Sequence, residues 1–451
     1  MTGSGMAVVV GASMGGLLAA RALSDSFAEV LVVDRDVLPD SAASRQGVPQ
    51  DRQLHVLLAR GREAFEELFP GLTEQLVGLG VPLVDLHGQV DWINDGHLMT
   101  RAPSSLTAVG ISRPLLEHVV RTRVTALPGV TLATGCEVTG LLATPDGARI
   151  TGVRVHDRGA EAPREVRADL VVDASGRGSR TPLWLEQLGY PAVAEEQVDV
   201  GITYVTRTYH REKEHIGGLL GALTNATPEI PRLAVVAAQE DERFAVVLCG
   251  MLGDVPPLDD AGMAAYARTL AAPHFAEVVA GAVPASDPVL MRFPASRRRR
   301  YEKMRRFPDG LLVMGDAMCS FNPVYGQGMT VAALEALLLR RVMAGGADRA
   351  TRPFLRGAAK LVDIPWSISV GSDLRFPSIE GRRTLQVRFV NAYISRLHAA
   401  ATADPVLGAA FLRVVNLIDP PTRLLAPRIV MRVLRGAHPQ PRVPEEAVLQ
   451  H

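Results

Sequence analysis

The stretch that decides the fold runs from residue 6 to residue 34, MAVVVGASMGGLLAARALSDSFAEVLVVD. The apolar run at 6–10 predicts a buried strand, and the glycine-rich turn at 11–16 leads into an apolar helix. The run at 29–34 predicts a second buried strand, which ends in the acid Asp34. Strand, glycine turn, helix, strand and acid follow each other as in a dinucleotide-binding βαβ unit. The sequence therefore predicts an α/β fold with a Rossmann-like nucleotide-binding domain.

Each position of this unit has an expected role. Gly11 makes the tight turn, Gly16 permits close packing of the helix on the strand, and the helix start would hold a pyrophosphate. Ser13 replaces the middle glycine of the G-x-G-x-x-G pattern, and its hydroxyl can donate to a phosphate. The fingerprint itself does not choose between FAD and NAD. The candidate cofactor-binding residues of this unit are Gly11, Ser13, Met14, Gly15, Gly16, Asp34 and Arg35.

Two further glycine turns follow predicted strands. Residues 311–341, LLVMGDAMCSFNPVYGQGMTVAALEALLLRR, predict a strand, a Gly-Asp turn, a loop and a helix from about residue 328. Asp316 could reach a ligand hydroxyl, and Gly326 and Gly328 would let the backbone approach a flat group. An ordinary strand–turn–helix, with Asp316 as a cap, explains this segment equally well. The third turn, ASGRGS at 174–179, follows the strand DLVVD.

Length and composition limit the class of protein. A chain of 451 residues predicts two domains or one large two-lobed domain. With 47% hydrophobic residues, 21% charged residues and a net charge of zero, it resembles a soluble globular protein without a basis for nucleic-acid binding. Three widely spaced cysteines favour neither a disulfide framework nor a metal site. No signal peptide or membrane-spanning run is apparent, so a cytoplasmic location is expected.

Several charged side chains flank the predicted turns. Arg45, in the polar loop 36–52, could fold back over a diphosphate or could lie in solvent. Arg113 lies at the mouth of a helix predicted from residue 114, and Glu117 and Arg121 would form an exposed i,i+4 pair on that helix. His55 is interpreted as a surface or capping histidine.

The second half of the chain has a different pattern of apolar and charged segments. Apolar segments at 198–209, 233–238 and 243–251 predict a separate antiparallel sheet with one face on a cavity. The run Arg297–Arg300 favours a solvated surface over an anion site. The amphipathic basic segment 423–435, RLLAPRIVMRVLR, predicts packing across a domain interface, with a peripheral membrane contact as the alternative.

The three turns GASMGG, ASGRGS and GDAMCSFNPVYGQGM, in this order, resemble the FAD-dependent monooxygenases of the para-hydroxybenzoate hydroxylase type over about residues 6–345. The segment GQGMTVA is similar to squalene epoxidases. RQGVPQDRQLH, VVDASGRGS and FNPVYGQGM are similar to bacterial epoxidases of polyether biosynthesis. The family's mid-chain Asp-Gly is Ser175-Gly176 here, which makes the source of electrons less certain than the flavin.

The resemblance implies a discontinuous FAD-binding domain at 1–85, 105–190 and 285–345. A substrate-binding domain would comprise 86–104 and 191–284, and a helical C-terminal region 346–451.

It also implies roles for individual residues. Asp34 would bind the adenosine ribose, Arg45 and Arg113 the diphosphate side, and Asp316 the ribityl–diphosphate region. Tyr325 would gate the site or serve in packing. The residues implied to line the isoalloxazine are Pro323, Gly326, Gly328 and Met329.

The activity that the resemblance implies is oxygen insertion from O2 through a flavin C4a-hydroperoxide, with NADPH, NADH or a partner flavin reductase as electron donor. The expected substrate is an apolar polyketide or terpenoid, and alkene epoxidation is the expected reaction. An aromatic hydroxylase of the same fold is the alternative, although the sequence shows no obvious base to ionise a phenol. A geranylgeranyl reductase-like enzyme and a flavin-binding accessory protein are further alternatives, while the absence of W-x-W-x-I-P disfavours a tryptophan halogenase.

Overall fold

A computed structural model describes residues 4–436 of the chain. Its strands are β1 (Met6–Val10), β2 (Glu29–Asp34), β3 (Val56–Leu57), β4 (Leu83–Asp85), β5 (Val90–Asn94), β6 (His97–Leu98), β7 (Thr107–Gly110), β8 (Val130–Thr134), β9 (Cys136–Ala143), β10 (Ile150–Asp157), β11 (Arg164–Arg167), β12 (Leu170–Asp173), β13 (Glu195–His210), β14 (Gly221–Thr224), β15 (Arg232–Gln239), β16 (Arg243–Gly250), β17 (Val289–Arg299), β18 (Leu311–Val313) and β19 (Cys319–Ser320).

The helices of the described residues are α1 (Met14–Leu23), α2 (Ala59–Leu68), α3 (Leu72–Gly78), α4 (Arg113–Thr125), α5 (Thr181–Gln187), α6 (Asp260–Arg268), α7 (Pro273–Gly281), α8 (Gly328–Met343), α9 (Thr351–Asp373), α10 (Leu385–Ala400), α11 (Pro405–Val415) and α12 (Pro427–Arg435).

A five-stranded parallel sheet in the order β18-β12-β1-β2-β8 forms the centre of the first lobe. Its inner strands are short apolar runs because both of their faces are covered, as is usual for parallel sheets. The strands β18, β12 and β1 are neighbours, so the three glycine turns that follow them meet at one edge. The predicted convergence of these turns is thus a consequence of strand order.

Two glycines fix the turn between β1 and α1. Gly11 has a φ of 99°, and a Cβ there would lie 2.8 Å from the carbonyl oxygen of Ala174. A Cβ on Gly16 would lie 1.7 Å from the carbonyl oxygen of Gly11. Neither position has room for a side chain, so the fingerprint glycines are required for packing before any ligand is considered.

An eight-stranded sheet, β19-β17-β13-β16-β15-β14-β5-β6, forms the second lobe. It contains the antiparallel strands predicted between residues 198 and 251, and β5 and β6 join it from the 86–104 segment. It also takes β17 and β19, whose residues fall in the range 285–345 that was expected in the cofactor domain. The long strand β13 pairs with β17 along most of its length, which draws β17 into this sheet.

The run Arg297–Arg300 is only partly the solvated surface that its charge predicted, because Arg297 is exposed and the next two arginines are buried. Arg298 is only 2% exposed, and its guanidinium donates to Asp363 Oδ1 at 2.7 Å. Arg299 is also buried and donates to the carbonyl oxygen of Ala317 at 2.9 Å. The arginines lie at the end of β17 between β13 and β19, where acids and carbonyl groups from other segments pair with them.

Helices α9 to α12 complete the described part of the chain. No described helix is long and apolar enough to cross a membrane. In α12, Ile429 and Val433 are buried, while Met431 and Leu434 are exposed. The helix contacts α10 and α11, which belong to the same C-terminal region. Packing across a domain interface and contact with a membrane both stay predictions.

Candidate functional site

One continuous cavity of about 1550 Å³ joins the edge of the parallel sheet to the eight-stranded sheet and to helices α9–α11. Gly16 does not line it, because this residue of α1 packs against the Gly11 carbonyl group of the first turn. The predicted residues that do line the cavity are Gly11, Ser13, Met14, Gly15, Asp34, Arg35, Arg45, Arg113, Asp316, Pro323, Tyr325, Gly326, Gly328 and Met329.

Asp34 closes the first turn at the end of β2. Its Oδ2 accepts the amide N–H of Ala12 at 2.6 Å, and its Oδ1 accepts that of Asp36 at 2.9 Å. Arg45 Nη1 lies 3.2 Å from the same Oδ1. The carboxylate is therefore held rigidly at the cavity wall, and its role as a ribose ligand stays a prediction.

Glu117 pairs with two arginines beside the first turn, and this role was not predicted from the sequence. Its Oε1 lies 4.0 Å from Arg121 Nη1, so the predicted pair is present. The prediction that this pair is exposed is wrong, because Glu117 is only 5% exposed. Its Oε1 lies 2.9 Å from Arg45 Nε, and its Oε2 lies 3.4 Å from Arg113 Nη2. Arg113 Nη2 also donates to Ser13 Oγ at 2.9 Å. The spacing of Arg113, Glu117 and Arg121 on one helix was the available signal, but it did not reveal that α4 packs on α1.

Arg45 lies among Glu117, Asp34 and Asp36 and is not in solvent. Burial alone would lower the pKa of its guanidinium, but these carboxylates raise it, so the charge is fixed. Its Nη2 is buried and has no hydrogen-bond partner among the described residues. An unpaired guanidinium N–H at a cavity wall fits an anionic oxygen such as that of a diphosphate.

His55 lines the cavity and is not the surface histidine that was predicted. Its Nδ1 lies 2.9 Å from the carbonyl oxygen of Gln53. Burial, with the positive charge of Arg113, lowers the pKa of His55 to about 3, so the imidazole is neutral at physiological pH. The neighbouring Gln53 bonds to Thr206 and thus links this loop to β13.

The second turn is closed by Asp173, which is buried. Its carboxylate accepts the amide N–H and hydroxyl of Ser175 and the hydroxyls of Ser179 and Thr181 at 2.5–2.9 Å. Asp173 therefore stabilises its own turn, and its carboxylate is not available as a ligand. The residues that this turn presents to the cavity are Ala174, Ser175, Gly176, Arg177 and Gly178.

The third turn offers an open backbone surface. Gly326 has a φ of 65°, and α8 begins at Gly328, where an added Cβ would meet nothing within 4 Å. An added Cβ on Gly315 would also meet nothing within 4 Å. Gln327 Nε2 donates to the carbonyl oxygen of Val415 at 2.8 Å, which anchors this loop to α11. A flat group could rest on this backbone with the free N–H groups of the helix start beside it, so the residues fit a flavin ring.

Asp316 faces the cavity at the start of this loop. Enclosure by protein raises the pKa of its carboxyl, and the positive charges of Arg177 and Arg113 oppose the rise. Behind it, Glu335 Oε2 accepts the amide N–H of Gly315 at 2.7 Å, and burial raises the pKa of Glu335 to about 8. A mostly neutral Glu335 thus fixes the turn without adding a full charge below Asp316.

Tyr325 points to the C-terminal end of α9. Its hydroxyl donates to Asp373 Oδ1 at 3.2 Å, and Asn322 Nδ2 donates to the same oxygen at 2.9 Å. Burial raises the pKa of Asp373 to about 6, although both hydrogen bonds oppose the rise. The network ties the ring loop to α9, and gating by Tyr325 stays a prediction.

The remaining cavity wall is largely apolar. Arg177 lines it beside the second turn, and its guanidinium carbon lies 4.5 Å from the centroid of the Phe293 ring. This wall accommodates a large lipophilic molecule next to the third turn. Its apolar side chains include Trp92, Tyr204, Leu223, Val247, Met291 and Phe293 from the eight-stranded sheet and Trp366, Ile394, Phe411 and Val414 from the helices.

A buried polar cluster interrupts this apolar wall. Asp95, in the turn between β5 and β6, has its Oδ2 2.8 Å from His398 Nδ1 and its Oδ1 2.6 Å from Arg375 Nη2. His398 and Arg375 line the cavity. These residues are far apart in sequence, so no pattern along the chain could have predicted their contact.

Comparison with known proteins agrees with this geometry. The family described as "FAD binding domain" matches residues 6–351. "Protein Rv3254" of Mycobacterium tuberculosis is 36% identical over 431 residues, which cover 92% of this chain and 90% of that protein.

Among solved structures, p-nitrophenol 4-monooxygenase PnpA from Pseudomonas putida DLL-E4 has a TM-score of 0.63 at 15% identity, covering 92% of this chain and 99% of that one. The flavin-dependent brominase Bmp2 has a TM-score of 0.62 at 15% identity, covering 91% and 92%. The predicted fold class and FAD as the cofactor are thereby confirmed.

Proposed function

The chain belongs to the FAD binding domain family of flavin-dependent enzymes, and from this premise we propose that it is a monooxygenase that transfers one atom of O2 to a lipophilic polyketide or terpenoid. The continuous cavity carries this proposal, because the polar cofactor end opens directly onto an apolar wall. At about 1550 Å³ it exceeds the roughly 300–1,000 Å³ of an ordinary ligand pocket, which leaves room for a cofactor and a substrate together.

Residues of the turns, of the end of β2, of the loop 36–52 and of α4 would hold FAD. Asp34 would bind the ribose, Arg45 and Arg113 with the start of α1 the diphosphate, and Asp316 the ribityl region. The backbone around Gly326 and Gly328 would carry the ring, and bound flavin supplies the oxygen-transfer chemistry. The chain's own contribution is orientation and the exclusion of water by the apolar wall.

We favour alkene epoxidation as the reaction, because it needs no acid–base pair from the protein and suits an apolar wall. NADPH, NADH or a partner flavin reductase would supply electrons. Asp173 is saturated by its own turn, so its carboxylate would not serve as a nicotinamide ligand.

The test is substrate-dependent oxygen uptake by the FAD-loaded protein with polyene polyketides and terpenoids, followed by mass spectrometry under ¹⁸O2. We expect a product heavier by one labelled oxygen atom, with loss of an alkene proton signal. Oxygen uptake that never depends on the substrate, or a product without the label, would contradict a monooxygenase.

Aromatic hydroxylation is the second candidate function. The buried pair Asp95 and His398 favours it, because a phenol is activated towards oxygen when a base removes its proton. A product that gains one labelled oxygen and keeps all its alkene signals would select this reaction.

A further inference from the structure

The first half of α10 is exposed on nearly all sides, although it is rich in apolar residues. Of the eight residues 385–392, six are exposed and none is buried. Leu385 is 84% exposed and Phe389 is 61% exposed, and the helix becomes buried only from Leu397 to Ala400. A helix that packs on a protein buries an apolar stripe. This half of α10 therefore presents apolar side chains that the described residues leave uncovered.

The cavity opens to the outside beside this half of α10. Residues that are both exposed and part of the cavity wall mark the opening. At this end, which we call the α10 rim, they are Arg382, Gln386, Val390, Thr422 and Leu425. The Tyr393 hydroxyl donates to the carbonyl oxygen of Leu424 at 2.6 Å and ties α10 to the segment 421–425. Farther along α10 and on α11 the wall is apolar, with Ile394 and Phe411.

The chain around the α10 rim is strongly basic. Residues 380–436 contain nine arginines and three acids, whereas the whole chain has a net charge of zero. Two of these acids are already paired, Asp404 with Arg432 and Asp419 with Arg413, each at 2.7 Å. The exposed arginines of this segment without a salt bridge to any described residue are Arg382, Arg388, Arg396, Arg423, Arg428 and Arg435. This surface attracts anionic groups.

An anionic lipid surface matches this combination better than a protein partner does. A protein covers a helix from one side, whereas lipids surround an interfacial helix and take up apolar side chains that point in several directions. The arginines between those side chains can reach lipid phosphates while their stems lie along the apolar layer. A second copy of this chain would instead bring like charges together.

We propose that the α10 rim docks on an anionic bilayer, with Leu385 and Phe389 inserted among the lipids, and that the lipophilic substrate enters the cavity directly from the membrane. The docking follows from the exposed helix and its charge. The identity of the entering molecule rests on the proposed monooxygenase function.

The test is flotation of the FAD-loaded protein with vesicles of phosphatidylcholine alone or with about one third phosphatidylglycerol. We expect binding to the anionic vesicles to be at least about tenfold stronger than to the neutral ones, and salt should weaken it. The double variant Leu385→Ser/Phe389→Ser should bind about tenfold more weakly or less, because both side chains lose their apolar insertion. Arg382→Gln and Arg388→Gln should each weaken binding about fivefold.

Val283→Ser and Arg341→Gln are the matched control variants. Val283 is 62% exposed and Arg341 is also exposed, but neither residue lines the cavity. Both variants should bind vesicles as the wild type does. A second measurement reports insertion directly: the fluorescence of Phe389→Trp should be quenched by brominated lipids, whereas the three native tryptophans, all buried, should not respond.

Four results would overturn the proposal. They are a wild type that does not bind anionic vesicles, full binding by the double variant, Phe389→Trp fluorescence that brominated lipids leave unchanged, and a stable dimer in solution that the double variant dissociates. FAD affinity and the thermal midpoint show whether each variant is folded. Vesicle binding needs neither substrate nor oxygen, so intact binding without substrate-dependent oxygen uptake would refute the monooxygenase function alone.

Discussion

Gly328→Val is the substitution that examines the cofactor site most directly. Gly328 opens α8, its φ is not in the left-handed region, and an added Cβ would meet nothing within 4 Å. The protein itself therefore tolerates the side chain. The new methyl groups would occupy the cavity space in which the flavin ring is expected to contact the helix start.

The expected magnitude follows from the hydrogen bonds that the ring would lose. A ring displaced by a valine side chain gives up two N–H contacts at the start of α8, each of about 1–1.5 kcal/mol. A loss of about 2–3 kcal/mol corresponds to a roughly 30- to 150-fold weaker affinity for FAD. The free energy of unfolding of the apoprotein should stay within about 1 kcal/mol of the wild type.

Titration of the apoprotein into FAD, followed by quenching of flavin fluorescence, measures the affinity. Gly78→Val is the matched control, because Gly78 is also a helical glycine with nothing within 4 Å of an added Cβ, but it faces solvent. Equal FAD affinities for the two variants would refute the placement of the ring at Gly328.

Four further substitutions test the framework. Gly16→Ala brings a Cβ to 1.7 Å from the Gly11 carbonyl oxygen and should lower the free energy of unfolding by about 3 kcal/mol, whereas Gly15→Ala, with 3.8 Å to its nearest neighbour, should cost less than about 1 kcal/mol in urea denaturation. Glu117→Gln leaves two buried arginines without their shared charge and should cost about 3 kcal/mol; a loss under about 1 kcal/mol would show that the network is not stabilising. Because the folded-state pKa of Asp373 is raised to about 6, the wild type should lose stability relative to Asp373→Asn as the pH rises from 4 to 6, and parallel unfolding curves at all pH values would contradict this.

The sequence could predict the parts of the site that are local. Each turn is a short strand followed by glycines, and parallel pairing brings such ends to one edge, so the positions of Ser13, Asp316 and Gly328 could be predicted. The charge networks could not, because their members come together only through packing. Glu117 faces α1 because α4 packs there, and His398 meets a turn 303 residues earlier in the chain. The burial of Arg298 likewise depends on strand pairing.

The shared cavity has a consequence for the yield of product per reductant consumed. Under the proposed function, cofactor and substrate would share one continuous space, so the substrate itself would complete the enclosure of the reactive end. A small molecule would leave water beside the ring, and reduced flavin would then be oxidised without forming product. Among chemically equivalent substrates, the fraction of consumed reductant that yields product should therefore rise with the molecular volume of the substrate. We expect this rise even where binding affinity does not increase with volume.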